Sequence, residues 1–87
     1  MHEMSLFNRL MNKVEELAQE HGATRVSGMT LRLGALSHFT PEHFREHFNI
    51  VAKGGIAEGA QLELRQMTDE THPDAQGIVL ESIELET

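Results

Sequence analysis

The chain has 87 residues, enough for one compact core that buries roughly 60 to 65% of the unfolded surface and too few for two. With 39% apolar residues, four Phe, no Trp and no Tyr, that core must be built from Leu, Ile, Val, Met and Phe, and without Cys the chain has neither a disulfide framework nor a thiolate metal or redox site. Fourteen acidic residues against seven basic ones leave a net charge of -7, which repels nucleic acid and anionic membranes and suits a cation or a basic protein partner.

The opening Met1-His2-Glu3-Met4-Ser5 carries an early acid and no long apolar run, so neither a signal peptide nor a membrane span is expected, and the cytoplasm is the expected location. From Met4 to His21, apolar residues at Phe7, Leu10, Met11, Val14, Leu17 and Ala18 recur at the three-and-four spacing of a helix stripe, which Gly22 ends. From Thr24 to Leu33 the pattern changes to period two. Ser27, Met29, Leu31 and Leu33 alternate with Gly28, Thr30 and Arg32, and the β-branched Thr24, Val26 and Thr30 favour a strand.

Thr40-Pro41-Glu42 predicts a second helix start: Thr40 can cap, Pro41 fits the first turn, and Phe39 can pack on Phe44 as a staple. Phe44, Phe48 and Val51 form its expected inner face, and Gly54-Gly55 closes it. Gln61 to Arg65 alternates as a second strand, and the Thr-, Asp-, Pro- and Gly-rich stretch from Met67 to Gly77 reads as a loop. The last strand, Ile78 to Leu85, has its apolar pairs Ile78/Leu80 and Ile83/Leu85 out of phase by one residue. A β-bulge near Glu81-Ser82 restores a common face. The expected fold is therefore an α/β (α+β) sandwich, two helices packed on one face of a three-stranded sheet in the order helix-strand-helix-strand-strand.

Two stretches, Met1-His2-Glu3-Met4-Ser5-Leu6 and Leu33-Gly34-Ala35-Leu36-Ser37 through Pro41-Glu42 to Lys53-Gly54-Gly55-Ile56-Ala57-Glu58-Gly59-Ala60, together with the closing Ser82-Ile83-Glu84-Leu85-Glu86, carry a family likeness. They resemble the HypA/HybF family, the nickel-insertion accessory proteins of hydrogenase and urease. The resemblance implies a nickel metallochaperone, not an enzyme, whose cargo is Ni(II). Its implied partners are a HypB-type GTPase and the large subunit of a NiFe hydrogenase. The family inserts a zinc module with two CxxC motifs between its last two strands, whereas here residues 66–77 form a short cysteine-free linker, so no zinc is expected. Residues 1–87 then form a single nickel-binding domain in which the linker can close Leu62-Arg65 and Ile78-Leu85 as neighbouring strands. A link this short also invites exchange of the last strand between two chains, giving a homodimer.

The residues implied as the metal site are Met1, His2 and Glu3. A His at position 2 brings an α-amine, a deprotonatable amide and an imidazole within reach of one ion in a plane, a set that suits Ni(II) or Cu(II) and leaves one position open for transfer. Glu3, His38 or a partner residue must complete the shell, and Glu3 can offset the positive end of the first helix. Since the imidazole and amine must both lose a proton, binding is expected to weaken below about pH 6.5.

Each candidate also has a plainer reading. An early His-Glu pair is ordinarily a solvated terminus. His43 and His47, four apart on the second helix, can grip a metal but lack a third ligand, and His21 and His72 read as a helix-end cap and a loop residue. The glutamates of the first helix and last strand read as solvated faces, and Gly54-Gly55 follows a helix instead of opening one, which rules out a phosphate loop. The alternative function, from another class, is a protein-binding scaffold or regulator of metalloenzyme maturation with weak or no metal transfer.

Overall fold

The computed structural model describes the backbone of residues 2–87 and side chains from Ser5 onward. Five elements follow in the expected order: α1 (His2–Glu20), β1 (Arg25–Leu33), α2 (Pro41–Val51), β2 (Gln61–Gln66) and β3 (Ile78–Glu86). α1 starts two residues before the apolar stripe suggested, at His2 itself, so His2 belongs to the helix and does not precede it. At the other end, Gly22 adopts φ 65°, a left-handed conformation that costs glycine little and stops the helix.

The helix stripes bury as their spacing requires. Phe7, Leu10, Val14 and Ala18 of α1 meet Phe44 and Phe48 of α2 over Met29, Leu31 and Leu33 of β1 in one hydrophobic cluster. α2 begins as read: the amide of His43 donates to the Thr40 hydroxyl at 3.1 Å, and the rings of Phe39 and Phe44 meet edge-on at 5.5 Å. Its inner face differs by one residue. Val51 is 44% exposed and Ala52 is buried, because the row through Phe44 and Phe48 continues at every fourth residue.

The sheet order is β2-β1-β3, with β1 parallel to β2 and antiparallel to β3. This corrects the expectation that the two last strands are neighbours. β1, the most deeply buried of the three strands, takes the centre, and β2 and β3 become the edges. The α2 crossover is what allows β1 and β2 to run parallel. The bulge on β3 is present, since Thr30 pairs with Ser82 and Leu31 with Leu80, which leaves Glu81 unmatched. A second one lies in β1, where Val26 pairs with Leu85 and Gly28 with Glu84. Ser27 is thereby skipped, and Val26, not Ser27, joins Met29, Leu31 and Leu33 in the core.

The other face of the sheet is polar. Arg32 lies 2.8 Å from Glu81, its buried Nε beside Oε2 without the alignment of a hydrogen bond, and Arg65 reaches Glu63 at 3.2 Å and Glu81 at 3.7 Å. Both helices thus cover one face, and among the described residues no helix is long and apolar enough to cross a membrane.

Candidate metal centre

The three residues expected to hold the metal are Met1, His2 and Glu3. Met1 lies outside the described residues, as do the side chains of His2 and Glu3, but the backbone places position 2 as the first residue of α1. The first four amides of a helix have no acceptor within it, so an amide at that position can give up its proton to a metal without breaking a helical hydrogen bond. The described surroundings begin one turn later.

Ser5, Leu6 and Arg9 of α1 face the loop after β1 across a cleft of about 560 Å³, closed on the far side by Leu36, His38 and Gln76. The loop is held from two directions. Gly34 and Leu36 donate their amides to Gly77 O at 2.8 Å and Ala75 O at 2.7 Å, and the buried Ser37 hydroxyl accepts from the Phe39 amide at 3.4 Å. Between these anchors His38 turns through φ 68°, a left-handed conformation uncommon outside glycine, and is exposed at the rim of the cleft. The histidine considered for completing the nickel shell therefore stands across the same cleft as the first turns of α1.

The other histidines are engaged elsewhere. His43 packs on Phe39 with ring centroids 5.2 Å apart, and His47 meets Phe7 edge-on at 4.6 Å with its Nε2 buried and without a hydrogen-bond partner among the described residues. They are packed against two different phenylalanines and are not paired over open solvent. His21 turns its Nδ1 to Leu17 O at 2.9 Å at the end of α1, and His72 accepts the Asp74 amide at 3.0 Å within the β2–β3 connection. Both agree with the plain readings made for them. Among the described residues no group of three His, Asp or Glu side chains stands close enough to hold a metal ion.

Two cleft residues were not singled out by sequence. Arg9 lies off the apolar stripe of α1, and Gln76 lies in a segment that reads only as loop; no local pattern brings either to His38. Their meeting depends on Ala75, buried against the end of β1. The connection also carries a small turn of its own. The hydroxyl and amide of Thr71 donate to the Asp69 carboxylate at 2.7 and 2.9 Å, and these bonds, with a smaller contribution from nearby His72, hold the Asp69 carboxyl below its usual range.

Residues 1–73 match the family described as hydrogenase/urease nickel incorporation, metallochaperone, hypA. Among individual proteins, the hydrogenase maturation factor HypA of Rhodopseudomonas palustris (strain TIE-1) is 43% identical over 67 residues, which cover 77% of this chain and 59% of that protein. The factor of the same name from Methanosarcina mazei is 44% identical over 62 residues, 71% of this chain and 45% of the relative. That of Escherichia coli (strain K12) is 37% identical over 70 residues, 80% and 60% respectively. The matched part of the chain thus spans 45 to 60% of the length of these relatives. In three dimensions the chain is similar to the solution structure of the Ni metallochaperone HypA from Helicobacter pylori, with a TM-score of 0.76, 16% identity and coverage of 99% of this chain and 98% of that one. At that identity the likeness speaks for the fold.

Proposed function

Because the chain belongs to the HypA family, we propose that it binds Ni(II) through Met1, His2 and Glu3 and helps to deliver the ion to a NiFe hydrogenase, or to urease, during maturation. The observation that carries this reading is that the family match begins at residue 1 and so takes in Met1-His2-Glu3. The chemistry of that tripeptide agrees with it: the α-amine, the His2 amide and the imidazole form a planar set, and the fourth position stays open to Glu3, to His38 across the cleft or to a ligand of the recipient. An open position lets the next ligand enter before the metal leaves.

The family is one of metallochaperones, and the chain is not an enzyme. Its nickel is cargo. The reading assigns no resident zinc, since the chain has no thiolate to offer. It takes a HypB-type GTPase and a hydrogenase large subunit as the partners and the cytoplasm as the place. It also leaves room for two copies to pair by exchanging β3, which sedimentation at several concentrations tests.

The decisive experiment is calorimetric titration of nickel into the untagged chain with its amine free, beside His2→Ala. One ion is expected per chain, with tight binding lost in the variant while the far-ultraviolet circular dichroism stays the same. Equal binding by both would end the assignment of the site to the N terminus.

A further inference from the structure

A groove along α1 extends beyond anything the nickel reading uses. Beside the cleft between α1 and the loop after β1, past Arg9, lies a second hollow of about 270 Å³, where Leu10 and Lys13 face Ile78 and Leu80 at the start of β3. Leu6 and Arg9 line both parts, so the two adjoin along α1. The wall opposite α1 is apolar in its middle, with Leu36 38% exposed and Ile78 half-buried.

Its charge runs against that of the chain. Acids outnumber cations fourteen to seven, yet among the described residues no carboxylate lines either part of the groove. Arg25, Arg32 and Arg65 each lie against a glutamate of the sheet, whereas Arg9 has no carboxylate in ion-pair reach among the described residues. Lys13 meets Glu16 at 3.4 Å, with both side chains more than half exposed.

The spacing narrows the occupant. Arg9 and Lys13 are one turn apart, about 6 Å along the helix, and residues two apart in an extended chain are roughly 6.7 Å apart with their side chains on one face. From Ser5 to Lys13 the helix rises roughly 12 Å, the reach of about four extended residues.

We propose that this groove docks an extended acidic segment of a partner protein in which carboxylates alternate with aliphatic side chains, the carboxylates meeting Arg9 and Lys13 and the aliphatic face covering Leu36 and Ile78. The proposal deepens the nickel-carrier reading and rests on it for its purpose: a segment seated here ends beside the first turn of α1, where a recipient's ligand can reach the fourth coordination position.

The test is an amide chemical-shift titration of the full chain, free of metal, with the blocked peptide acetyl-Glu-Leu-Glu-Leu-amide and its uncharged counterpart acetyl-Gln-Leu-Gln-Leu-amide. Shifts are expected along residues 5–13, 36–38 and 76–80, with the uncharged peptide about fivefold weaker, as two exposed ion pairs allow. The double variant Arg9→Gln/Lys13→Gln, both sites exposed, should keep its fold and bring the two peptides level. Equal binding of both peptides to the parent, shifts away from α1, or no shifts at all would overturn the proposal. Shifts in the groove that follow protein concentration without peptide would assign it to a second copy of the chain and overturn it as well. No nickel enters the experiment, so its failure is separate from any failure of nickel titration.

Discussion

The carbonyl of Ala75 occupies the space where a β-carbon on Gly34 would stand, so the β2–β3 connection can reach the end of β1 only because residue 34 has no side chain. The obstacle is backbone, which cannot swing aside as the tip of a long side chain can. Gly34→Ala is therefore expected to push the connection off β1, loosening the bonds from Gly34 to Gly77 and from Leu36 to Ala75. A cost of about 2 kcal/mol corresponds to a melting temperature lower by roughly 8 to 16 °C in a domain of this size. Thermal unfolding followed by circular dichroism checks it, and an unchanged melting temperature would mean that the connection is not clamped.

Phe7 sits where both helices meet, fully buried, with its ring 5.3 Å from Phe44, 6.4 Å from Phe39 and 4.6 Å from His47. Phe7→Ala removes the centre of that cluster, and truncation of a buried Phe costs about 3 to 5 kcal/mol. A domain this small has only about 5 to 10 kcal/mol to lose. Urea titration should show a midpoint lowered by about 30% or more at constant slope. A shift of only a few tenths of a kcal/mol would place the core elsewhere.

How far these contacts were legible in the sequence depended on whether their cause was local. The stripe Phe7, Leu10, Val14, Ala18 and the Thr40-Pro41 start are helix-period signals and survive intact. Even the bulge at Glu81 could be read, because it left two apolar pairs out of phase. The bulge at Ser27 could not, since Ser27 keeps the phase of Met29, Leu31 and Leu33 in an unbroken alternation, and only pairing with Leu85 selects the out-of-phase Val26 for the core. Strand order was likewise beyond reach: side-chain period reports which face a strand buries, not which strand lies beside it. For the same reason His38 and Arg9 look unrelated in sequence and share one cleft in space.

Thr40 holds the start of α2 through one bond, its hydroxyl accepting the His43 amide at 3.1 Å, with the capping residue in extended backbone at φ -97° and ψ 161°. Thr40→Ala should cost about 1 kcal/mol, and Thr40→Ser should recover most of it because serine offers the same acceptor. Chemical denaturation of the three chains distinguishes the two variants. Equal loss in both would assign the effect to the threonine methyl group and not to the cap.

The Asp69 carboxyl, held low first by the Thr71 hydroxyl, then by the Thr71 amide, gives a pH dependence of definite sign. A group whose pKa falls on folding contributes stability at pH values above its unfolded pKa, and that contribution is lost as pH drops through the lowered folded value. A carbon-detected carboxyl titration should place the Asp69 midpoint below 3.8, and Thr71→Ala should move it back toward that value. A midpoint at or above 3.8 in the parent would show that the turn does not persist in solution.

The nickel reading makes one demand that side-chain replacement cannot test: the α-amine of Met1 must be a ligand. A Gly-Ser extension before Met1 converts that amine into an amide and moves the positive charge two residues away, while leaving His2, Glu3 and His38 in the chain. If the planar set is the α-amine, the His2 amide and the imidazole, the extended protein loses one of three nitrogens, and tight binding should fall nearly as far as in His2→Ala. Because α1 begins at His2 and its first amides have no helical acceptors, the extension should leave the melting temperature unchanged. Loss of affinity without loss of stability then belongs to the metal and not to the fold. The visible absorption of planar Ni(II) should disappear in the same variant. An extended chain that keeps both affinity and spectrum would leave side chains alone as the ligands, with His38 the first to replace next.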